Sequence, residues 1–292
     1  MSYLYYVLIF LFGSVIGSFL NVIILRLRSG QVCRPEKKES IIHGRSHCLK
    51  CGKTLAWYDL VPVVSFLWLS GKCRSCKEKI SWQYPLVEIA AGLSFVLIFY
   101  SNYELRITNY GYELSVFSMI HDSLFMIQLL SHWFIISCLI AIFVYDLRHY
   151  IIPDIILFPA IVVSFLWRVF EVLLAPSGVE GGLGHFFPYL LSALGASAFF
   201  LAIILITRGK GMGLGDAKLT FLMGLLLGWP NILAALFLAF FIGATVGVGL
   251  IFWGGKNMKS QIPFGPFLIA ATTFVLFFGE KVWGCYSGLL GF

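Results

Sequence analysis

Charged side chains are scarce in this chain of 292 residues, of which only 12% are Asp, Glu, Lys or Arg. A soluble domain ordinarily carries about 25%. Hydrophobic residues make up 59% of the chain, so too few polar residues remain to cover a water-soluble surface. The same composition excludes a disordered chain and a small secreted disulfide scaffold. We therefore predict an all-α, polytopic membrane protein.

Eight segments are predicted to be transmembrane helices, because each is apolar and is bounded by charged, aromatic, Gly or Pro residues. The second, sixth and eighth are short for a helix that needs about 20 residues to cross a bilayer. The first lacks a basic leading region and a small-residue cleavage site, which predicts a retained anchor. The segments lie at roughly residues 3–25, 86–100, 123–145, 155–175, 187–207, 218–229, 231–254 and 266–280.

The positive charge is distributed unevenly along the chain. Of the 21 Lys and Arg residues, 18 fall in four loops that eight spans would place on one side of the membrane. Loops rich in Lys and Arg remain in the cytoplasm. We therefore predict that these loops are cytoplasmic and that both termini lie outside. Nucleic-acid binding is not expected, because no binding motif accompanies the charge.

Residues 26–85 form the only long polar stretch and are predicted to be a cytoplasmic insert. Two Cys-x-x-Cys pairs lie within it, a spacing that lets both sulfurs of a pair reach one tetrahedral ion. Disulfides and a redox-active pair are the alternatives, although reducing conditions in the cytoplasm argue against disulfides. We predict a ribbon-like fold around a structural zinc ion bound by Cys48, Cys51, Cys73 and Cys76. The aromatic stretch 55–69 between the pairs predicts a helix at the membrane interface.

Two aspartates are predicted to lie on the cytoplasmic side. Asp146 closes the third predicted span, and Asp216 precedes the sixth. Two carboxyl groups at one site do not both ionise easily, so one could accept a proton from water while the other donates to a peptide carbonyl. This is the chemistry of an aspartyl protease. The alternative for each aspartate is a helix cap, and a cap is the interpretation that we prefer for Asp154.

A glycine-rich run, 209–215, precedes Asp216. It lacks the Gly-Lys-Ser/Thr ending of a Walker loop and the preceding strand of a dinucleotide-binding loop. Flexible backbone close to a substrate is the better interpretation. We expect Gly213, Gly215 and Lys218 to support the substrate or the loop.

Taken together, these features resemble the bacterial type IV prepilin peptidases, which are intramembrane aspartyl proteases of the Gly-x-Gly-Asp type. The resemblance rests on the cysteine pairs and on four segments that occur in order, at 17–22, 81–88, 146–154 and 213–219. It implies that Asp146 and Asp216 are catalytic. It also implies three parts: a first transmembrane helix (1–25), a zinc-binding, methyltransferase-associated insert (26–85) and a transmembrane aspartyl peptidase domain (86–292).

The activity that the resemblance implies has two steps. The enzyme would cut a short basic leader, after a Gly, from prepilins or pseudopilins of type IV pili or type II secretion. Cleavage would occur at the cytoplasmic face of the bacterial inner membrane. The enzyme would then methylate the new N-terminal amine with S-adenosylmethionine, whose binding residues the sequence does not identify.

Three other interpretations remain open at this point. A presenilin-like protease shares the Gly-x-Gly-Asp pattern, but its Pro-Ala-Leu signature is absent and residues 262–266 stand in roughly that place. A proton-coupled transporter would carry its ionisable groups nearer the bilayer midplane and would show paired repeats. The third is a non-catalytic assembly scaffold that carries a zinc ribbon.

Overall fold

The computed structural model describes residues 3–31, 45–48, 50–110, 123–174, 183–209, 212–252 and 262–290. Within these ranges the chain is helical, and its only β-structure is two isolated bridges, so the prediction of an all-α protein is confirmed. A 3-10 helix spans Trp57–Leu60. The α-helices are α1 (Tyr3–Gln31), α2 (Val64–Trp68), α3 (Gln83–Tyr110), α4 (Ser123–His149), α5 (Asp154–Leu174), α6 (Leu183–Ile206), α7 (Leu214–Leu227), α8 (Asn231–Phe252) and α9 (Gly265–Leu290).

Six of these helices, α1, α3, α4, α5, α6 and α8, are long and apolar enough to cross a membrane. Helix α7 has 14 residues, which gives a length of about 21 Å against a hydrocarbon core of about 30 Å. The described apolar part of α9 is Gly265–Gly279, which is also short. All eight predicted segments are therefore helical, but the count of eight spans is not confirmed.

The chain forms two compact units, Met1–Ala141 and Ile142–Phe292, and the division falls within α4. In the first unit α1 and α3 pack closely. A Cβ atom added at Gly17 would lie 2.7 Å from the Cα atom of Glu88, so only glycine allows this approach. The buried Asn21 side chain donates to the carbonyl oxygen of Tyr84 (3.2 Å) and accepts from Gln83 Nε2 (3.2 Å). These contacts fix the start of α3 against α1.

The predicted single helix over residues 55–69 is wrong. The 3-10 helix and the five-residue α2 replace it, because Val63, with φ of 59°, cannot continue a right-handed helix. The backbone N–H of Val63 donates to Glu88 Oε2 at 2.8 Å. A buried carboxylate of α3 thus holds the insert at the point where its chain turns.

In the second unit the end of α7 is held by a charged side chain of α5. Arg168 donates to the carbonyl oxygens of Leu225 (3.0 Å) and Leu226 (2.9 Å) and to Glu171 Oε2 (2.8 Å). The last carbonyl groups of a helix have no partner within the helix, and in an apolar surrounding each needs one. Arg168 supplies these partners, so a helix shorter than the bilayer ends without unsatisfied carbonyl groups at these two positions.

Candidate active site

Asp146 lies in the last turn of α4. Its side chain is buried, with 4% of the residue exposed. The helix ends shortly afterwards because Tyr150 adopts φ of 58°, and the N–H of Tyr150 donates to the carbonyl oxygen of Asp146 at 2.8 Å. The helix therefore ends within four residues of this buried carboxyl group.

Asp216 is the third residue of α7, and its side chain caps that helix. Its Oδ2 atom accepts the backbone N–H of Gly213 at 3.2 Å, and its own N–H donates to the carbonyl oxygen of Gly213 at 3.1 Å. The helix-cap alternative is thus present, and Asp216 also lies close enough to Asp146 for the two carboxyl groups to interact. The two predicted catalytic residues therefore share one site in the second unit.

A third element, the start of α9, completes the site. The backbone N–H of Gly265 donates to the carboxyl group of Asp146. A Cβ atom at position 265 would overlap Asp146 Oδ2, so this approach requires glycine. Gly265 was not predicted to be a site residue. The available signal was its place between two prolines, in the segment 262–266 that stands where a presenilin-like protease carries Pro-Ala-Leu.

Ile152 packs against Gly215, which precedes Asp216, and against Gly265, which contacts Asp146. A Cβ atom at Gly215 would come within 3.0 Å of Ile152 Cβ, and one at Gly265 within 3.4 Å of Ile152 Cδ1. Gly215 therefore serves close packing beneath the site. Gly213 is exposed, has an extended backbone with φ of −89° and ψ of 155°, and contributes the N–H that Asp216 accepts. Residues 210 and 211 of the glycine-rich run lie outside the described residues.

Lys218 forms an ion pair with Asp154 and thereby joins α7 to the start of α5. Its Nζ atom lies 2.9 Å from Oδ1 and 2.8 Å from Oδ2 of Asp154. Asp154, for which a cap was the preferred interpretation, is the first residue of α5 and carries this ion pair. The contact ties the helix that follows Asp146 to the helix that contains Asp216.

The four cysteines of the insert converge in the first unit. Their sulfur atoms all lie within 4.8 Å of one another, and the Sγ atoms of Cys48 and Cys76 are 3.8 Å apart. A tetrahedral zinc site with Zn–S bonds of about 2.3 Å has an S–S separation of about 3.8 Å. The donor set and its geometry therefore fit a tetrahedral metal ion of the zinc type.

Each cysteine pair sits on a turn whose backbone amides point at the first sulfur. The N–H groups of Cys51 and Lys50 lower the pKa of Cys48 to about 6. The N–H groups of Cys76 and of the residue before it likewise lower the pKa of Cys73. A thiolate is the form of cysteine that binds a metal ion, so each turn favours the ligating form of its first cysteine.

Comparison with known proteins agrees with this geometry. Residues 11–102, which contain the four cysteines, match the Bacterial Peptidase A24 N-terminal domain, and residues 133–248, which contain both aspartates, match the Type IV leader peptidase family. A protein of Aeromonas salmonicida (strain A449) named prepilin leader peptidase/N-methyltransferase is 30% identical over 97% of this chain and 94% of its own length. Proteins of the same name from Bacillus subtilis (strain 168) and Vibrio cholerae are 30% and 31% identical over 96% and 95% of this chain and 96% and 98% of their own lengths. No solved structure matches the chain.

Proposed function

The chain belongs to the type IV leader peptidase family, and we propose that it removes the leader of a prepilin or pseudopilin and then methylates the new N-terminal amine. The observation that supports the peptidase half is that Asp146 lies within interaction range of Asp216 and against Gly265 at the start of α9. Membership of an enzyme family decides against the transporter and the non-catalytic scaffold.

The two carboxyl groups are held in the same way, each by the backbone N–H of one glycine. Gly265 donates to Asp146 and Gly213 donates to Asp216. Because a backbone amide is fixed by its helix terminus, each carboxyl group is oriented without the use of another charged side chain. The ionised group is left to accept a hydrogen bond from a water molecule, and the protonated group can donate its O–H to a peptide carbonyl oxygen.

Hydrolysis then follows as general acid–base catalysis. The ionised aspartate takes a proton from water as the water oxygen attacks the scissile carbonyl carbon, and the protonated aspartate donates its proton to the carbonyl oxygen. When the C–N bond breaks, the leaving amine takes up a proton from the aspartate that received one from water. At the same time the other aspartate recovers a proton from a hydroxyl group of the tetrahedral diol, which becomes the new carboxyl group. No covalent intermediate forms, and both groups return to their starting protonation states.

Asp146 and Asp216 would act at the cytoplasmic end of the spans, in a bacterial inner-membrane protein whose termini both lie outside. A basic leader would stay in the cytoplasm by the positive-inside preference, leaving the scissile bond near the two carboxyl groups. Gly213 and Gly215 would support the loop at the start of α7, and Lys218 would hold that loop through Asp154. The functional parts would be the first helix (1–25), the methyltransferase-associated insert (26–85) and the peptidase domain (86–292).

Zinc, held by the four cysteines, would have a structural role, because four protein ligands leave no open position on the ion. S-adenosylmethionine would supply the methyl group. Methylation needs the amine that cleavage releases, so the peptidase step comes first.

The test is incubation of the purified protein with a prepilin and S-adenosylmethionine, followed by intact-mass measurement. Loss of the leader and gain of one methyl group are expected with wild type, and no cleavage with Asp146→Asn or Asp216→Asn. Asp59→Asn is the control, because it removes a carboxylate of the insert that pairs with Arg74 and should leave cleavage unchanged. An Asn variant that cuts at the wild-type rate would remove that aspartate from the mechanism.

A further inference from the structure

The insert contains a cavity of about 420 Å³ lined by residues on both sides of the second cysteine pair, and none of the four cysteines lines it. Most of its wall is apolar. The rings of Phe66 and Trp82 lie 5.0 Å apart, and Leu67 and Ile80 complete the apolar side. A cavity of this size and lining is of the kind that takes a small ligand with an apolar portion.

Two lysines form the polar side of the cavity. Lys72 and Lys79 face each other in an antiparallel bridge at the base of the turn that carries Cys73. Side chains of directly opposed residues lie on the same face of the bridge, and like charges in that arrangement repel. Among the described residues neither lysine has an acidic partner, whereas Lys50 is paired with Glu78 at 3.5 Å.

The surface around the cavity is aromatic and exposed. Trp57, Trp68 and Trp82 are 79%, 82% and 68% exposed, and Leu67 is 66% exposed. Tryptophan side chains with an exposed ring are typical of the boundary between water and the acyl chains of a bilayer. Trp82 directly precedes α3, which is long enough to cross a membrane, so we expect this surface to lie near lipid.

We propose that this cavity binds an anionic phospholipid, with Lys72 and Lys79 binding the phosphate group and the apolar wall receiving the first part of an acyl chain. An anion between the two lysines would replace their repulsion with two attractive contacts. S-adenosylmethionine does not suit the cavity, because it carries a net positive charge and no acidic residue lines the wall. A basic leader peptide is unsuitable for the same reason. The proposal does not depend on the peptidase mechanism.

The test measures lipid binding to the full-length, zinc-loaded protein in detergent by native mass spectrometry. Phosphatidylglycerol and phosphatidylcholine with identical acyl chains are compared. A lysine near an anionic lipid surface contributes about fivefold to affinity, so the pair should favour phosphatidylglycerol by about thirtyfold. Equal affinity of wild type for the two lipids would overturn the proposal without reference to any variant.

Matched variants locate the site. Lys72→Gln/Lys79→Gln should lose the preference, while Lys53→Gln/Lys77→Gln, which removes the same charge from exposed positions outside the cavity, should retain it. Zinc content and melting temperature confirm that each variant is folded. Equal loss in both double variants would mean diffuse attraction to the surface and would contradict the proposal.

A last comparison distinguishes the binding of a lipid from the binding of a free phosphate group. Leu67→Gln should weaken phosphatidylglycerol binding several-fold, because Leu67 lines the apolar wall, and should leave the binding of water-soluble glycerol phosphate unchanged. If glycerol phosphate competes with phosphatidylglycerol at equal concentration, the acyl chain contributes nothing and the site is not a lipid site.

Discussion

The replacement of Gly265 by alanine tests the arrangement of the active site most directly. A Cβ atom at this position would overlap Asp146 Oδ2 and would lie 3.4 Å from Ile152 Cδ1. Ile152 is itself buried against Gly215 and cannot move freely. To reach an ordinary contact distance, the Asp146 carboxyl group or the start of α9 must shift by on the order of 1 Å.

A shift of this size should slow cleavage strongly. Misplacement of a catalytic group by about 1 Å costs on the order of 100-fold in rate, which corresponds to about 2.7 kcal/mol of transition-state stabilisation. Because the prepilin is bound by its own helix and leader, we expect the loss in kcat with little change in KM. The assay is the rate of leader removal at several substrate concentrations, followed by intact-mass measurement.

Two controls separate a local shift from general damage. Gly195→Ala makes the same chemical change in α6, where no atom lies within 4 Å of the added Cβ, and should cleave at the wild-type rate. Methylation of a substrate with an already processed N-terminus should also be unchanged in Gly265→Ala, since the substitution lies outside the insert. Cleavage by Gly265→Ala at the wild-type rate would refute the assigned contact between Gly265 and Asp146.

The remaining predictions concern the metal, the α7 terminus and the substrate. Wild type should contain about one zinc per chain, and Cys48→Ser/Cys73→Ser should contain none. The variant should also lose the fold of the insert, because the free energy of metal binding is folding free energy. Equal zinc content of the two proteins by metal analysis would contradict this prediction. Arg168→Met should lower the free energy of unfolding by roughly 3–5 kcal/mol, because it leaves Glu171 and two helix carbonyls without their partner, and an unchanged melting temperature would refute that role. A prepilin with Val in place of the Gly before the cut should insert into the membrane but resist cleavage, because Gly favours the local unwinding that exposes the peptide bond. Reversal of the leader charge should raise KM more than it lowers kcat; a loss confined to kcat would show that the leader acts on the chemical step.

The helical segments could be predicted from the sequence because they depend on hydrophobic composition alone. How the short segments end could not be predicted. Helix α7 corresponds to the sixth segment, whose shortness was visible in the sequence, but the hydrogen bonds that Arg168 donates to its last carbonyl groups come from another helix. The prediction of one interfacial helix over 55–69 was wrong because the turn at Val63 is stabilised by the side chain of Glu88, which is distant in the sequence.

The residues of the candidate site were also predicted only in part. The four cysteines were predicted because ligand spacing is encoded locally, and their sulfur atoms do converge. Asp146 and Asp216 were singled out because charges are rare in this chain, although spacing along the sequence could not give their proximity. Gly265 was missed because its contribution is a backbone N–H together with the absence of a Cβ atom, and neither is a chemical group that a motif search recognises.

The contrast between Gly213 and Gly265 explains how two carboxyl groups can be oriented in a site with few charges. Both glycines donate a backbone N–H to one of the two predicted catalytic aspartates. Only at position 265 would a Cβ atom collide with the carboxyl group; at position 213 the nearest atom, Asp216 Oδ2, lies at 3.8 Å. Asp216 is bound from within its own helix terminus, so its orientation is a local property of α7. Asp146 depends instead on α9, which is more than 100 residues away along the chain. The geometry of the pair is therefore set by how α9 packs in the second unit, and substitutions along α9 should affect Asp146 before they affect Asp216.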